Sequence, residues 1–469
     1  MQKSEVSMEV NKLDPYRPGY HLSVPKGWMN DPNGLIFYKG RYHVFYQHNP
    51  YAPVWGTMHW GHATSTDLIH WRHEPIALIP DQEYEIHPTL GGCFSGSAIE
   101  KDGKMVLIYT GCVEGREPFQ CQAVAVSEDG YKFEKFAGNP VIASPPSDCT
   151  KEFRDPKVWE KDGMFYCVIG TQSEDKGRVL LYRSNNLYQW EYVGIVGESD
   201  GRLGDMWECP DLCVLEKNDV LIYSPINAYE GNTRYLSGKL DYESGKLAIV
   251  QDKILDSGSN FYAPQTLTDE NGRCIIFGWM RSWEEHMPSE PYGWAGQLTI
   301  PRKLWTDDRG ILHQEPVKEL RMLRRELTSY DLTGICDKQL NTMSHNSYEL
   351  ILRAQGNELH NVNLYLRCSE NREEYTIVHI DIHNSKITVD RSSSGEGEKG
   401  IYSAPIIPEE DGSYLIHLFV DHNSLELFTS RYTVSMSFYI WAKSNSTGLF
   451  YEADAENKGS VKIDIWEMG

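Results

Sequence analysis

One hairpin recurs five times in the first two thirds of this chain. It reads FYKGRYHVFY around Gly40, EKDGKMVLIY around Gly103, EKDGMFYCVIG around Gly163, EKNDVLIYS around Asn218 and DENGRCIIFGW around Gly272, at spacings of 63, 60, 55 and 54 residues. Each copy joins two short apolar or aromatic runs through Gly, Asn or Asp turn residues. A second feature lies between the hairpins. TDLIHW at 66–71 returns as NNLYQW at 185–190 and more loosely as SEDGYKF at 127–133, and a strand-like run precedes each. A period of this length, with about four short strands per unit, predicts a five-bladed β-propeller. A β-sandwich or unrelated hairpins would not space the turns so evenly.

The propeller is expected over 21–314, after an N-terminal extension of 1–20. From Pro316 to Arg325 the pattern turns helical: Pro316 suits a first turn, and Leu320 and Leu323 share a face. This predicts a helical linker over 315–327. Alternation then returns, as in YELIL at 348–352, YLIHLFV at 414–420 and SLELF at 424–428. Residues 328–469 are therefore expected to form a β-sandwich, with Ser392 to Gly400 as an exposed loop. The fold class is all-β.

Composition excludes several functions. The net charge of −22, from 45 basic and 67 acidic residues, repels nucleic acid and anionic membranes. A phosphorylated ligand would need its own local basic pocket. No run approaches the length of a membrane-spanning helix, and the polar start of the chain does not read as a signal peptide. The 10 Cys show no C-x-x-C pair, which reads as reduced, mostly buried thiols in a cytoplasmic protein. Cys209 is counted among them as a small hydrophobe. The edges of the sandwich leave a homo-oligomer open.

Each repeat carries a polar cluster a few residues before its hairpin turn: Asn30-Asp31, Phe94 to Ser97, Arg154-Asp155, Trp207-Glu208-Cys209 and Asn260 to Tyr262. Singly they are unremarkable. Asp31-Pro32-Asn33-Gly34 suits a type I turn, Arg154-Asp155-Pro156 an exposed ion pair, and Glu208 a solvated strand end. The first strand of every blade lines the channel of a propeller, however, so equivalent positions converge. Three carboxylates (Asp31, Asp155, Glu208), an Arg and several aromatics in one funnel suit glycoside hydrolysis, with one acid attacking and another donating a proton. His59 and His62 would need a helix to make a metal pair, and their stretch reads as strand, so no metal or cofactor is expected.

These residues resemble glycoside hydrolase family 32, the β-fructofuranosidases. The likeness runs through WMNDPNG at 28–34, YQHNP at 46–50, FSGSA at 94–98, FRDPKVW at 153–159, WECPDL at 207–212, NFYAPQT at 260–266, GWAGQLTIPR at 293–302 and VDHNSLELF at 420–428. The resemblance implies a propeller plus sandwich and a retaining double displacement on sucrose, sucrose 6-phosphate or short fructo-oligosaccharides. An exo-inulinase, levanase or fructosyltransferase is the same-family alternative, and a non-catalytic binding propeller the remote one. It implies Asp31 as nucleophile, Glu208 as acid/base and Asp155 as transition-state stabiliser, with Arg154 beside Asp155 to keep it ionised. A saccharide pocket would include Asn30, Gln47, Trp55, Phe94, Ser95, Arg154, Tyr262, Trp283 and Trp294. Asn260 stands where many relatives carry Asp, which bears on fine pocket contacts. VDHNSLELF is expected to be structural. Retention also implies that the Asp31 and Glu208 carboxyls lie about 5–5.5 Å apart.

Overall fold

The computed structural model describes residues 14–87, 90–229, 231–282, 286–340, 346–356, 359–454 and 459–469. Short strands cut by turn residues give a molecule built almost wholly of β-sheet. Between 27 and 316 the described residues form five sheets whose main strands follow one another outward in sequence order. Their innermost strands are Gly27–Tyr38, Gly91–Lys101, Phe153–Lys161, Met206–Val214 and Tyr262–Thr268. Each packs on the next, and the fifth packs on the first, so the five blades close a ring.

The recurring hairpin has a local cause. Lys39-Gly40, Asp102-Gly103 and Asp162-Gly163 have positive φ at both residues, and strand pairing runs up to each turn. Two such residues make a type I′ turn, whose twist matches the strands it joins. The fourth hairpin turns through 215–218. The fifth turns through 269–273, where Asp269 Oδ1 accepts the N–H groups of Asn271 and Arg273 at 3.0 and 2.9 Å. The second repeated motif is also structural. Asp67, Asp129 and Asn186 each accept N–H groups two and three residues on. The Trp71 and Trp190 indoles donate to the Leu68 and Leu187 carbonyls.

The ring is sealed by an insertion in the fifth blade. Trp294–Ala295 pairs in parallel with Gly27 and Trp28. The helical linker expected over 315–327 is instead a single 3-10 stretch, Lys318–Leu323, with Leu320 and Leu323 buried. Pro316 ends the last propeller strand, Leu312–Pro316, rather than opening a helix. Strand resumes at once with Arg324–Asp331, which pairs with Ser460–Met468, so too few residues remain for an α-helix.

The C-terminal part is a sandwich of two six-stranded sheets. Leu350, Leu352, Val362, Leu364, Ile416 and Ile463 meet between them. VDHNSLELF docks the sandwich on the propeller. His21 is fully buried, with Nδ1 2.7 Å from Asp421 Oδ2 and Nε2 2.9 Å from Glu426 Oε1. Glu426 also takes Arg302 and the Ile300 N–H, while Asn423 donates to Gln297 at 2.7 Å. Asn260 belongs to this seam and not to the pocket. It is buried, and its Oδ1 accepts the Tyr439 N–H at 3.0 Å. Among the described residues no cysteine is in a disulfide. Among the described residues no helix is long and apolar enough to cross a membrane.

Candidate active site

All five innermost strands break register at the same level. The shifts fall between Met29 and Pro32, Phe94 and Gly96, Arg154 and Lys157, Glu208 and Asp211, and Tyr262 and Gln265. These are β-bulges, which re-aim side chains and end regular pairing. In four blades the bulge contains or ends on a proline (Pro32, Pro156, Pro210, Pro264), a residue that strands tolerate mainly at bulges and edges. Asp155, Cys209 and Ala263, each just before such a proline, have φ of 65°, 46° and 48°. The expected type I turn at Asp31 to Gly34 is therefore a twice-bulged strand. Gly34 is required there: its φ is +54°, and a Cβ would sit 2.7 Å from the Phe45 ring.

The bulges bring three carboxylates together. Asp31 Oδ2 accepts from Ser95 Oγ at 2.6 Å, and Asp31 Oδ1 from Asn30 Nδ2 at 3.1 Å. The Trp28 indole, donating to Asn30 Oδ1 at 2.7 Å, turns the Asn30 amide so that its NH2 faces Asp31. Asp155 Oδ2 accepts the Cys209 N–H at 2.8 Å. Cys209 Sγ lies 3.4 Å from both Asp31 Oδ2 and Asp155 Oδ2, so one thiol serves two carboxylates. Glu208, beside it, accepts from Arg154 Nε and Nη2 on Oε1 at 3.1 and 2.9 Å, and from Tyr262 Oη on Oε2 at 2.5 Å.

Burial raises Asp31 above the ordinary carboxylate range and the Glu208 charge adds to it, while bonds from Ser95, Asn30 and Cys209 oppose the rise. Asp155 is pushed up to about 7, by burial first. Arg154 pulls it down, and the charges of Glu208 and Asp31 push it up. This corrects the expected pairing: Arg154 spends its hydrogen bonds on Glu208, Glu152 and Gln120, and Asp155 feels it only through space. Burial and the surrounding carboxylates also keep the Cys209 thiol protonated.

The aromatic walls match the sequence reading in part. Phe94 is half-buried, and Trp55, 46% exposed, meets its edge with ring centroids 6.4 Å apart. Tyr262 lies under the Arg281 guanidinium, 4.5 Å from the ring centroid. Gln47 is buried behind this wall, donating to the Cys93 carbonyl at 2.9 Å. Trp294 is not a wall residue. It is fully buried, with its indole donating to Asp14 at 2.6 Å and Arg17 stacked 4.1 Å from the ring centroid. Trp283 lies outside the described residues. Sequence reasoning passed over Cys209, Glu152 and Trp279. Trp279 meets both Trp28 and Tyr262 edge-on. The Pro after Cys209 marks a bulge and was the available signal for that residue. Nothing in the local sequence singles out Glu152.

Three acids, a buried Arg and aromatic walls at one mouth of a five-bladed propeller define a glycoside hydrolase site. Comparison with known proteins agrees. Residues 21–316 match the glycosyl hydrolases family 32 N-terminal domain, and residues 317–467 the family 32 C-terminal domain. A sucrose-6-phosphate hydrolase of Zymomonas mobilis is 37% identical over 441 residues, covering 88% of this chain and 83% of that protein. A raffinose invertase of Escherichia coli is 36% identical, covering 96% of this chain and 94% of its own. A Bombyx mori family 32 β-fructofuranosidase, solved as a variant in complex with sucrose, superimposes with a TM-score of 0.83 at 35% identity, covering 97% and 94% of the two chains. The chain belongs to glycoside hydrolase family 32.

Proposed function

We propose that this enzyme is a retaining β-fructofuranosidase that releases fructose from sucrose or sucrose 6-phosphate through a covalent fructosyl-enzyme. The observation that carries this reading is the sharing of Cys209 Sγ by Asp31 and Asp155, with Glu208 the adjacent residue. The names of the relatives supply the substrate class. Asp31, held from both oxygens, attacks the anomeric carbon as nucleophile. Glu208 gives its proton to the leaving glycosidic oxygen, and the bond to fructose breaks as the Asp31 ester forms. Glu208 then takes a proton from water, which attacks the same carbon and frees Asp31. The transition state carries positive charge on the fructosyl ring; Asp155, freed from the upward push of the Glu208 charge once Glu208 is protonated, stabilises it in ionised form more than it does the neutral substrate. Ser95 and Asn30 fix the nucleophile, and Phe94 and Trp55 offer flat surface to the sugar. Ten cysteines outside any disulfide support a reducing compartment and a cytoplasmic enzyme.

The test is fructose release from sucrose, sucrose 6-phosphate, kestose and inulin, compared with the Asp31→Asn variant. The native enzyme should favour the two small substrates. The variant should keep its fold and lose turnover by at least about a thousandfold, the scale on which removing a catalytic group acts. Normal release by D31N would overturn the nucleophile assignment. Preference for inulin would move the enzyme to the polysaccharide-degrading alternative.

A further inference from the structure

Glu152 lies on the rim of the pocket, two residues before Arg154, and has no part in the chemistry described above. Its carboxylate is ion-paired with Arg154 Nη1 through Oε2. Its backbone is tied down on both sides: Thr171 Oγ1 donates to the Glu152 carbonyl at 2.6 Å, and the Glu152 N–H reaches Thr150 Oγ1 at 3.3 Å. Lys151 does not compete for it, having turned its Nζ over the Phe119 ring, 4.7 Å from the centroid. Arg154 is thus suspended between two carboxylates. Nη1 faces Glu152, with Gln120 Oε1 at 3.4 Å, while Nε and Nη2 both reach a single oxygen of Glu208.

We propose that Glu152 is a positioning residue for proton transfer: it holds the Arg154 guanidinium so that both inner N–H groups occupy Oε1 of Glu208, leaving Oε2 as the oxygen that carries the proton to the leaving group. This rests on the β-fructofuranosidase reading and adds an atom-level assignment to it. An oxygen accepting two N–H bonds from a cation is a poor place for a proton. Oε2 has Tyr262 Oη as its partner, and that hydroxyl can turn to the Ser224 carbonyl at 3.4 Å when Oε2 is protonated.

Glu152 also moderates charge. Glu208, Asp155 and Glu152 together keep Arg154 ionised against its burial. Without Glu152, the full guanidinium charge would fall on Glu208 and Asp155 and favour their anions. The other charged or titratable groups facing this unit are Asp31 and Cys209 on the innermost strands, Cys112 on the neighbouring strand, and Tyr262 with Arg281 on the fifth blade. Among the described residues Arg154 Nη1 is held by Glu152 and, at 3.4 Å, by the neutral Gln120, so Glu152 is the charged lever on that side.

The experiment measures kcat and KM across pH 4.5–8.5 for the native enzyme, Glu152→Gln and Glu152→Asp. Sucrose and 4-nitrophenyl β-fructofuranoside serve as substrates, since the aryl leaving group needs little protonation. Glu152 is partly exposed, so the loss of its charge on the far side of Arg154 from Glu208 is screened by an effective dielectric of about 40 and is worth about tenfold in the proton-donor population. E152Q should lose about tenfold in kcat on sucrose at pH 7.5 and less than about twofold at pH 5, with KM within about twofold. The loss should shrink on the aryl substrate, and E152D should restore most of it. A variant profile parallel to the native one, or an equal loss on both substrates at every pH, overturns the proposal. The native enzyme tests the underlying reading separately: if it released no fructose from either substrate, that reading would fail before any variant was made.

Discussion

Asp155→Asn should make the protein more stable at neutral pH while destroying its activity. The Asp155 carboxyl rises from its ordinary 3.8 to about 7 on folding, because burial and the nearby Glu208 and Asp31 charges outweigh the pull of Arg154. A raised carboxyl means that the folded state keeps a proton that the unfolded chain has already released. As far as this group is concerned, stability is greatest below about 4 and is lost as pH climbs to about 7. At ~1.4 kcal/mol per pH unit the full penalty is about 4 kcal/mol. Charge shared with Asp31 and Glu208 brings the expected value to about 2 kcal/mol. An amide fits the site. Its oxygen can accept the Cys209 N–H, as Asp155 Oδ2 does at 2.8 Å, and its NH2 can point to Asp31. The assay is urea denaturation followed by tryptophan fluorescence at pH 4, 5.5 and 7.5. D155N should gain about 2 kcal/mol over the native protein at pH 7.5 and little at pH 4. A variant no more stable than the native protein at pH 7.5, or a gain independent of pH, would refute the reasoning. It would mean that Asp155 is already well solvated or well paired in the fold.

Two further expectations follow from the same geometry. His21 is pushed up to about 9, because its bonds to Asp421 and Glu426 overcome burial; its stabilisation is complete below about 6.5 and fades as pH rises through 9. His21→Gln should cost about 3–5 kcal/mol at pH 7, the scale for breaking a buried ion pair, and should flatten the loss of melting temperature between pH 7 and 10; an unchanged alkaline slope would show that another group controls it. Retention predicts that NMR of early hydrolysis detects β-fructofuranose first and that added methanol yields methyl β-fructofuranoside. An α-anomer as the first product would place the Asp31 and Glu208 carboxyls in the inverting range of about 6.5–9.5 Å.

The blades were legible because their signal is local. Lys39-Gly40, Asp102-Gly103 and Asp162-Gly163 meet the φ demands of a type I′ turn by themselves, and the strands that follow them are short apolar runs buried on both faces. Asp31, Asp155 and Glu208 were legible through their equivalent positions in the repeat. A propeller turns equal positions in sequence into neighbours in space, and this is as far as pattern reasoning reaches. The bulges were partly legible, since a proline inside an apolar strand announces one, yet Asp31-Pro32 reads equally well as a turn.

The rest needed the tertiary structure, because it depends on contacts between segments far apart in the chain. Trp294 and Trp55 are the same residue type in similar aromatic surroundings. One seals the ring beneath Asp14 and Arg17, and the other stands at the mouth beside Phe94. Arg154 adjoins Asp155 in sequence, but the bulge turns their side chains apart and gives the guanidinium to Glu208, 54 residues on. Cys209 reads as one more buried thiol until the ring brings Asp31 and Asp155 to its sulfur. The sequence by itself determined the repeat, the turns and the identity of the three acids, all set by short-range stereochemistry and periodicity. Which cation pairs with which acid, and how far burial lifts Asp155, was decided only when five strands met around one axis, where desolvation and charge depend on every neighbour at once.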